Sequence, residues 1–210
     1  MAMTGKYGTL ILLARSALLA LALAGSCFAA DVNTLLDDCA SCHGKDGASA
    51  DSQVPIIGGY SAKYLTDSLA NYKKKARPCP KIKYASGAHK GQETDMCAVA
   101  EKLADPDVKA IADYLAAKPF VRAKQTADGA KTARGKQIQE GHCKKCHEDG
   151  GSSADDDAGI LAGQWMPYIR QTLEEFSAGK RPMPKKMKPK FEELKKDDID
   201  ALVNYFGSFK

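Results

Sequence analysis

Cys39-Ala40-Ser41-Cys42-His43 recurs as Cys143-Lys144-Lys145-Cys146-His147, 104 positions further along the chain. Two thiols three positions apart on a helical turn can each form a thioether to one vinyl group of the same porphyrin, and the adjacent histidine then faces the iron. Cys-x-x-Cys by itself also serves redox dithiols and zinc. Two copies, each with its histidine and each heading a repeated unit, point to covalently attached haem c, one per copy.

The repeat extends outward from both motifs. At the same offset Gly47 falls on Gly151, Gly59 on Gly163, Tyr64 on Tyr168, Leu65 on Ile169, Leu69 on Leu173 and Tyr72 on Phe176. Leu65, Leu69 and Tyr72, like Ile169, Leu173 and Phe176, are spaced i, i+4, i+7, so each set is one helical stripe. Further on the offset becomes 91, and Met96, Leu103, Asp107, Ile111 and Tyr114 fall on Met187, Leu194, Asp198, Leu202 and Tyr205. The first half therefore holds thirteen extra residues ahead of its methionine. Asp105 and Pro106 read as a helix cap and first helical position. No stretch alternates with period two for long enough to predict a sheet. The expectation is an all-α chain of two tandem haem domains.

Residues 1–30 contain no acid, carry Lys6 and Arg15, and turn apolar before the small residues Gly25, Ser26, Ala29 and Ala30. That is the order of a secretory signal, too short after Arg15 to span a bilayer. An uncleaved anchor and a lipid on Cys27 are the alternatives. The expected organisation is a signal peptide over 1–30, a first haem domain over 31–120, a linker over 121–132 and a second haem domain over 133–210. Export places the protein in the periplasm, with no membrane span once the signal is removed. Loss of Lys6 and Arg15 reduces the net charge from +5 to +3.

Each iron needs a sixth ligand besides His43 or His147, and Met96 and Met187 hold equivalent places in the repeat. A thioether favours ferrous iron and fills the coordination shell, which suits outer-sphere electron transfer and opposes substrate binding at the metal. Met183, four residues before Met187, competes with it. His89 and His142 read as surface or packing residues.

The seven cysteines divide into Cys27 in the signal, four anchors (Cys39, Cys42, Cys143, Cys146), and the pair Cys79 and Cys97. A disulfide between the last two would tie the insertion to the methionine loop, contributing about 3 kcal/mol by chain-entropy reasoning. A copper site or a redox-active pair is the other reading. No catalytic acid, base or nucleophile stands out. Lysines flank both methionines, as a solvated face or as a patch steering an acidic redox partner. Nucleic-acid binding is excluded for want of a recognition motif in an exported chain.

The stretch from Gly141 to Met187, including Ile160-Leu161-Ala162-Gly163-Gln164-Trp165 and Arg181-Pro182-Met183-Pro184, resembles the two-haem cytochrome subunit of flavocytochrome c sulfide dehydrogenase. Cys39 to Gly47 and the Met96 to Tyr114 pattern are shared with two-haem class I cytochromes generally, so the resemblance implies two tandem class I cytochrome c domains. The resemblance implies an FAD-containing flavoprotein partner that oxidises sulfide, and a soluble redox acceptor such as a small cytochrome. It also places Trp165 near the second haem and makes Pro55 the support of His43, with Gly159 at the equivalent second-domain position. The rivals are a free two-haem carrier serving a terminal oxidase and a haem enzyme oxidising thiosulfate or a related sulfur compound.

Overall fold

The computed structural model describes residues 32–155 and 157–210. The signal reading falls on residues that lie outside these. The first domain is built from α1 (Val32–His43), α2 (Ala62–Lys73), α3 (Met96–Glu101) and α4 (Asp105–Ala116), and the second from α5 (Gly129–Ile138), α6 (Met166–Ser177), α7 (Lys188–Glu192) and α8 (Lys196–Gly207). Among the described residues, no helix is long and apolar enough to cross a membrane.

The helices form where the apolar stripes predict, with side chains closing their free ends. Ser61 caps α2 by accepting the Tyr64 N–H at 3.0 Å. The α4 helix starts one residue earlier than Asp105 and Pro106 suggested, with Ala104 at its cap and Pro106 inside the first turn. The Asp107 carboxylate accepts the Ala104 N–H at 3.0 Å, and Asp198 does the same for Lys195 at 3.0 Å ahead of α8. The repeat is thus visible at the level of single hydrogen bonds. It recurs in the loops, where Ile57 N–H donates to Gly47 O and Leu161 N–H to Gly151 O.

Leu65, Leu103, Ile111, Ala112 and Leu115 make the first core, and Ile138, Ile169, Leu202, Val203 and Phe206 the second. In the second domain α5 crosses α8 at Gly135, where a Cβ would run into the Ala201 carbonyl, so only glycine lets the two backbones approach this closely.

The structure adds two features to this helical plan. The thirteen-residue insertion folds as a ribbon of β1 (Ile82–Lys83) against β2 (Glu93–Thr94), antiparallel, pairing Ile82 with Thr94 and Lys83 with Glu93. Strands of two residues are too short to show period-two alternation. The stretch between the domains is also less loose than its polar composition implies. Ala123 is buried, its N–H donates to Gly163 O at 2.7 Å, and α5 begins within the stretch at Gly129, capped by Asp128.

The two domains join through a buried polar contact that repeats the internal symmetry. Gln164 is 0% exposed, yet each of its polar atoms is satisfied. Its Oε1 accepts from Ile56 N–H and Trp165 N–H, both at 3.0 Å, and its Nε2 donates to Ile56 O at 2.8 Å and Tyr60 Oη at 2.9 Å. Tyr60, the residue 104 positions earlier, in turn donates to Ile160 O at 3.2 Å. Trp165 Nε1 reaches Ser49 O in the first domain at 3.0 Å. Replacing Gln164 with leucine strands the Ile56 amide groups, each costing about 1–3 kcal/mol when left unpaired. The variant is expected to lose roughly 2–4 kcal/mol of stability, measured by denaturant unfolding of the haem-loaded protein; a loss below 0.5 kcal/mol would show that the contact does not hold the domains together.

Candidate functional site

In the first domain, α1 runs unbroken into Cys39, Cys42 and His43. His43 is buried and its Nδ1 lies 2.9 Å from Pro55 O. A carbonyl can only accept, so Nδ1 carries the proton and Nε2 keeps the lone pair a metal requires. Burial lowers the pKa of His43, with the Pro55 contact opposing, so the ring is neutral, as a ligand must be. The two thiols are neutral as well: burial, then Asp38, pushes Cys39 up to about 11, and burial raises Cys42.

His43 and Met96 line one cleft, together with Cys39 and Cys42 and apolar walls from α2, α4 and the ribbon. The empty space is about 950 Å³. Met96 opens α3, and its position is set by Asp95, which caps that helix by accepting Ala98 N–H at 2.8 Å and pairs with Lys81 at 2.7 Å. The Cys97 that follows is joined to Cys79 by a disulfide, with Cα atoms 5.8 Å apart.

In the second domain α5 leads into a π-helical turn (Gln139–Cys143), and the motif continues through turns in which Cys146 N–H and His147 N–H both donate to Cys143 O. Gln139 is buried and its Nε2 donates to His147 O at 2.7 Å. Cys143 is half-buried, with burial raising its thiol to about 11, and Cys146 is exposed. Half-buried Met187 sits at the cap of α7, where its carbonyl accepts Phe191 N–H at 2.9 Å, and the Phe191 ring packs on Phe176 of α6. Met183, also half-buried, lies in the irregular segment before it. Of the other histidines, His89 is exposed on the ribbon beside Tyr84, and His142 Nδ1 is 2.9 Å from Glu193.

A set of residues that sequence reading passed over lies between the domains. Arg181 of the second domain donates to Tyr64 Oη of the first at 3.3 Å, and the Arg77 guanidinium of the first lies beside the Tyr168 phenol of the second and acts on its ionisation. The pairing is reciprocal, since Tyr64 and Tyr168, and Arg77 and Arg181, are each 104 positions apart. The signal was present in Arg77-Pro78-Cys79-Pro80 against Arg181-Pro182-Met183-Pro184. That register also places Met183 opposite Cys79, whereas Met187 remains opposite Met96. Burial opposes ionisation of Tyr168, but the Arg181 and Arg77 guanidiniums outweigh it and bring the phenol down to about 8. Crossing of the interface by Tyr64 also explains why proline is absent from the second domain's equivalent of Pro55: a Cβ at Gly159 would lie 2.9 Å from Tyr64 Oη.

These residues fit haem. The thiols, a neutral histidine with a free nitrogen and a thioether share an apolar cleft, and Arg77 borders it with a buried Nε that has no hydrogen-bond partner among the described residues. A buried guanidinium N–H lacking such a partner calls for an acceptor, and the haem propionates are anionic acceptors. Residues 29–118 and again 132–210 match the family model for cytochrome c. The chain belongs to the cytochrome c family. It carries two such domains and therefore two covalently bound haem c groups. It is 28% identical over 181 residues to cytochrome c4 of Stutzerimonas stutzeri, covering 80% of this chain and 82% of the relative. Reduced recombinant cytochrome c4 from Pseudomonas stutzeri superposes with a TM-score of 0.66 at 24% identity, over 86% of this chain and 99% of that one. Thiosulfate dehydrogenase (TsdBA) from Marichromatium purpuratum shares the fold at a TM-score of 0.66 and 22% identity, with 84% of this chain and 39% of that one covered.

If Met96 and Met187 are the sixth ligands of this cytochrome, Met96→Ala and Met187→Ala each remove about half of the sulfur-to-iron charge-transfer absorption of the ferric protein. An undiminished band in the Met187→Ala variant would transfer the assignment to Met183.

Proposed function

We propose that this dihaem cytochrome is a periplasmic electron relay. Cys39 and Cys42 anchor one haem, with His43 and Met96 as axial ligands. Cys143 and Cys146 anchor the other, with His147 and Met187. Haem supplies one-electron storage at each iron. The chain holds the two histidines, fills the sixth positions and offers cationic and phenolic groups to the propionates. With both axial positions taken by protein, no site remains for a sulfur substrate at iron, which argues against the thiosulfate-oxidising reading.

The observation that carries the relay is the difference between the domains. The methionine side of the first is overlaid by the ribbon, with Ile82 and Tyr84 against the cleft, whereas Met187 stands among the exposed Lys180, Lys185, Lys186, Lys188 and Lys190. Two unlike faces suit two unlike partners, a donor and an acceptor. The donor we propose is an FAD-containing, sulfide-oxidising flavoprotein, following the resemblance of Gly141 to Met187. A two-electron flavin matches two one-electron haems. A second reading is a free carrier to a terminal oxidase; the likeness to cytochrome c4 supports a two-haem electron carrier in either case.

Purification of the native protein separates the readings: a stable complex containing FAD and reduced by sulfide is expected, and a cytochrome that runs alone at every salt concentration would overturn the flavoprotein reading in favour of the free carrier. For the lysine face, Lys185→Glu with Lys186→Glu is expected to slow electron transfer to an acidic acceptor about tenfold at low ionic strength, with the difference shrinking as salt rises. Equal rates in stopped-flow mixing would remove that face from the docking site.

A further inference from the structure

Cys79 and Cys97 belong to one continuous antiparallel register. Ile82 faces Thr94 and Lys83 faces Glu93 in the ladder, Lys81 pairs with Asp95, and the same register carried to the base of the ribbon sets Pro80 opposite Met96 and Cys79 opposite Cys97. The disulfide therefore closes the ribbon at the position next to the methionine. The other ties on that segment are non-covalent: the ladder, the Lys81–Asp95 pair, the Asp95 cap on α3, and the bonds from Ala85 and Ser86 N–H to Ser41 O. The ladder is two residues long, and in the Lys81–Asp95 pair the lysine is 60% exposed. A pair exposed at its lysine end and so short a ribbon add little by themselves, and the disulfide is the covalent tie between the two sides of the ribbon. The second domain has nothing equivalent, because Met183 stands at the place of Cys79 and Lys188 follows Met187.

The bond is also within reach. Cys79 is half-buried while Cys97 is buried, and both line a solvent-open depression of about 640 Å³ with Lys75, Arg77, Asp95 and Glu101. A thiolate entering it meets the Cys79 sulfur first, and the two cations favour its approach.

We propose that the Cys79–Cys97 disulfide is a redox latch on Met96, opened by a dithiol, and that its opening turns the first haem alone into a site for a small exogenous ligand. An incoming dithiolate attacks the Cys79 sulfur and breaks the S–S bond, leaving a mixed disulfide and the Cys97 thiolate. The donor's second sulfur then displaces Cys79. Two electrons and two protons end on the cysteines, and the donor leaves as its own disulfide. Met96, freed from the closed base of the ribbon, can then withdraw from the iron. The inference rests on Met96 being the sixth ligand.

The test uses the full haem-loaded protein, reduced with ascorbate so that both irons are ferrous before any thiol is added, with carbon monoxide as the probe. No binding is expected at first. After dithiothreitol, one carbon monoxide per two haems is expected, alongside alkylation of two thiols counted by mass spectrometry, and reoxidation should reverse both. The Cys79→Ser, Cys97→Ser double variant is expected to bind the same half-equivalent without dithiothreitol. Met96→Ala separates the two layers of the argument. If it binds no carbon monoxide, the ligand assignment is wrong and the latch falls with it. If it binds one per two haems while the wild type binds none after both thiols have been alkylated, the ligand stands and the latch is refuted. A disulfide that dithiothreitol reduces only after unfolding also refutes it.

Discussion

The side-chain amide of Gln164 sets the relation of the two haem domains, because a fully buried amide with four hydrogen bonds has one acceptable geometry. Displacing one domain against the other would leave Ile56 and Tyr60 without partners in a place water does not reach. The Trp165 indole and the Ser61–Asp157 hydrogen bond at 2.8 Å reinforce the same alignment. With the domains fixed, Tyr168 lines the first domain's cleft and Tyr64 lies against Gly159 of the second. The reciprocal arginine–tyrosine pairs then form a charged layer where each domain supplies groups to its neighbour.

That layer is a source of chemistry and of constraint. Arg77 is 8% exposed and stacks on Tyr72 at 4.2 Å, and Arg181 lies 4.9 Å from the Phe176 ring, so both cations are sheltered by aromatic faces. Sheltered cations beside an apolar cleft favour an anion there and, through space, favour retention of electrons on a nearby iron. Symmetry gives both domains the same device, so the difference between the haem environments must come from elsewhere. It comes from the insertion. The ribbon lies over the cleft of the first methionine and its disulfide closes beside that residue, while the second sits on a lysine-rich loop.

The repeat made most of the local architecture legible. The helical stripes and the cleft-lining methionine followed from spacing, because helical periodicity is local and short-range in the chain, whereas Asp105 reads as the cap of a helix that Ala104 and the Asp107 carboxylate close. The ribbon was not legible, since two-residue strands leave no periodic trace. The ordered path through Ala123 was hidden for a related reason: its hydrogen bond to Gly163 comes from a segment forty residues distant in sequence.

The sequence by itself determined that this is a cytochrome with two covalently held haems, because thioether and axial chemistry demand Cys-x-x-Cys-His at a fixed spacing whatever the surroundings. It also determined that the two domains are copies, and where the copies differ in length. Only the tertiary structure decided that Tyr64 and Arg181, or Arg77 and Tyr168, act across the domain boundary, and that Gln164 rather than an apolar contact locks that boundary. Pairings of that kind depend on which surfaces meet in three dimensions, and a side chain's own sequence neighbourhood carries no record of the neighbour it acquires.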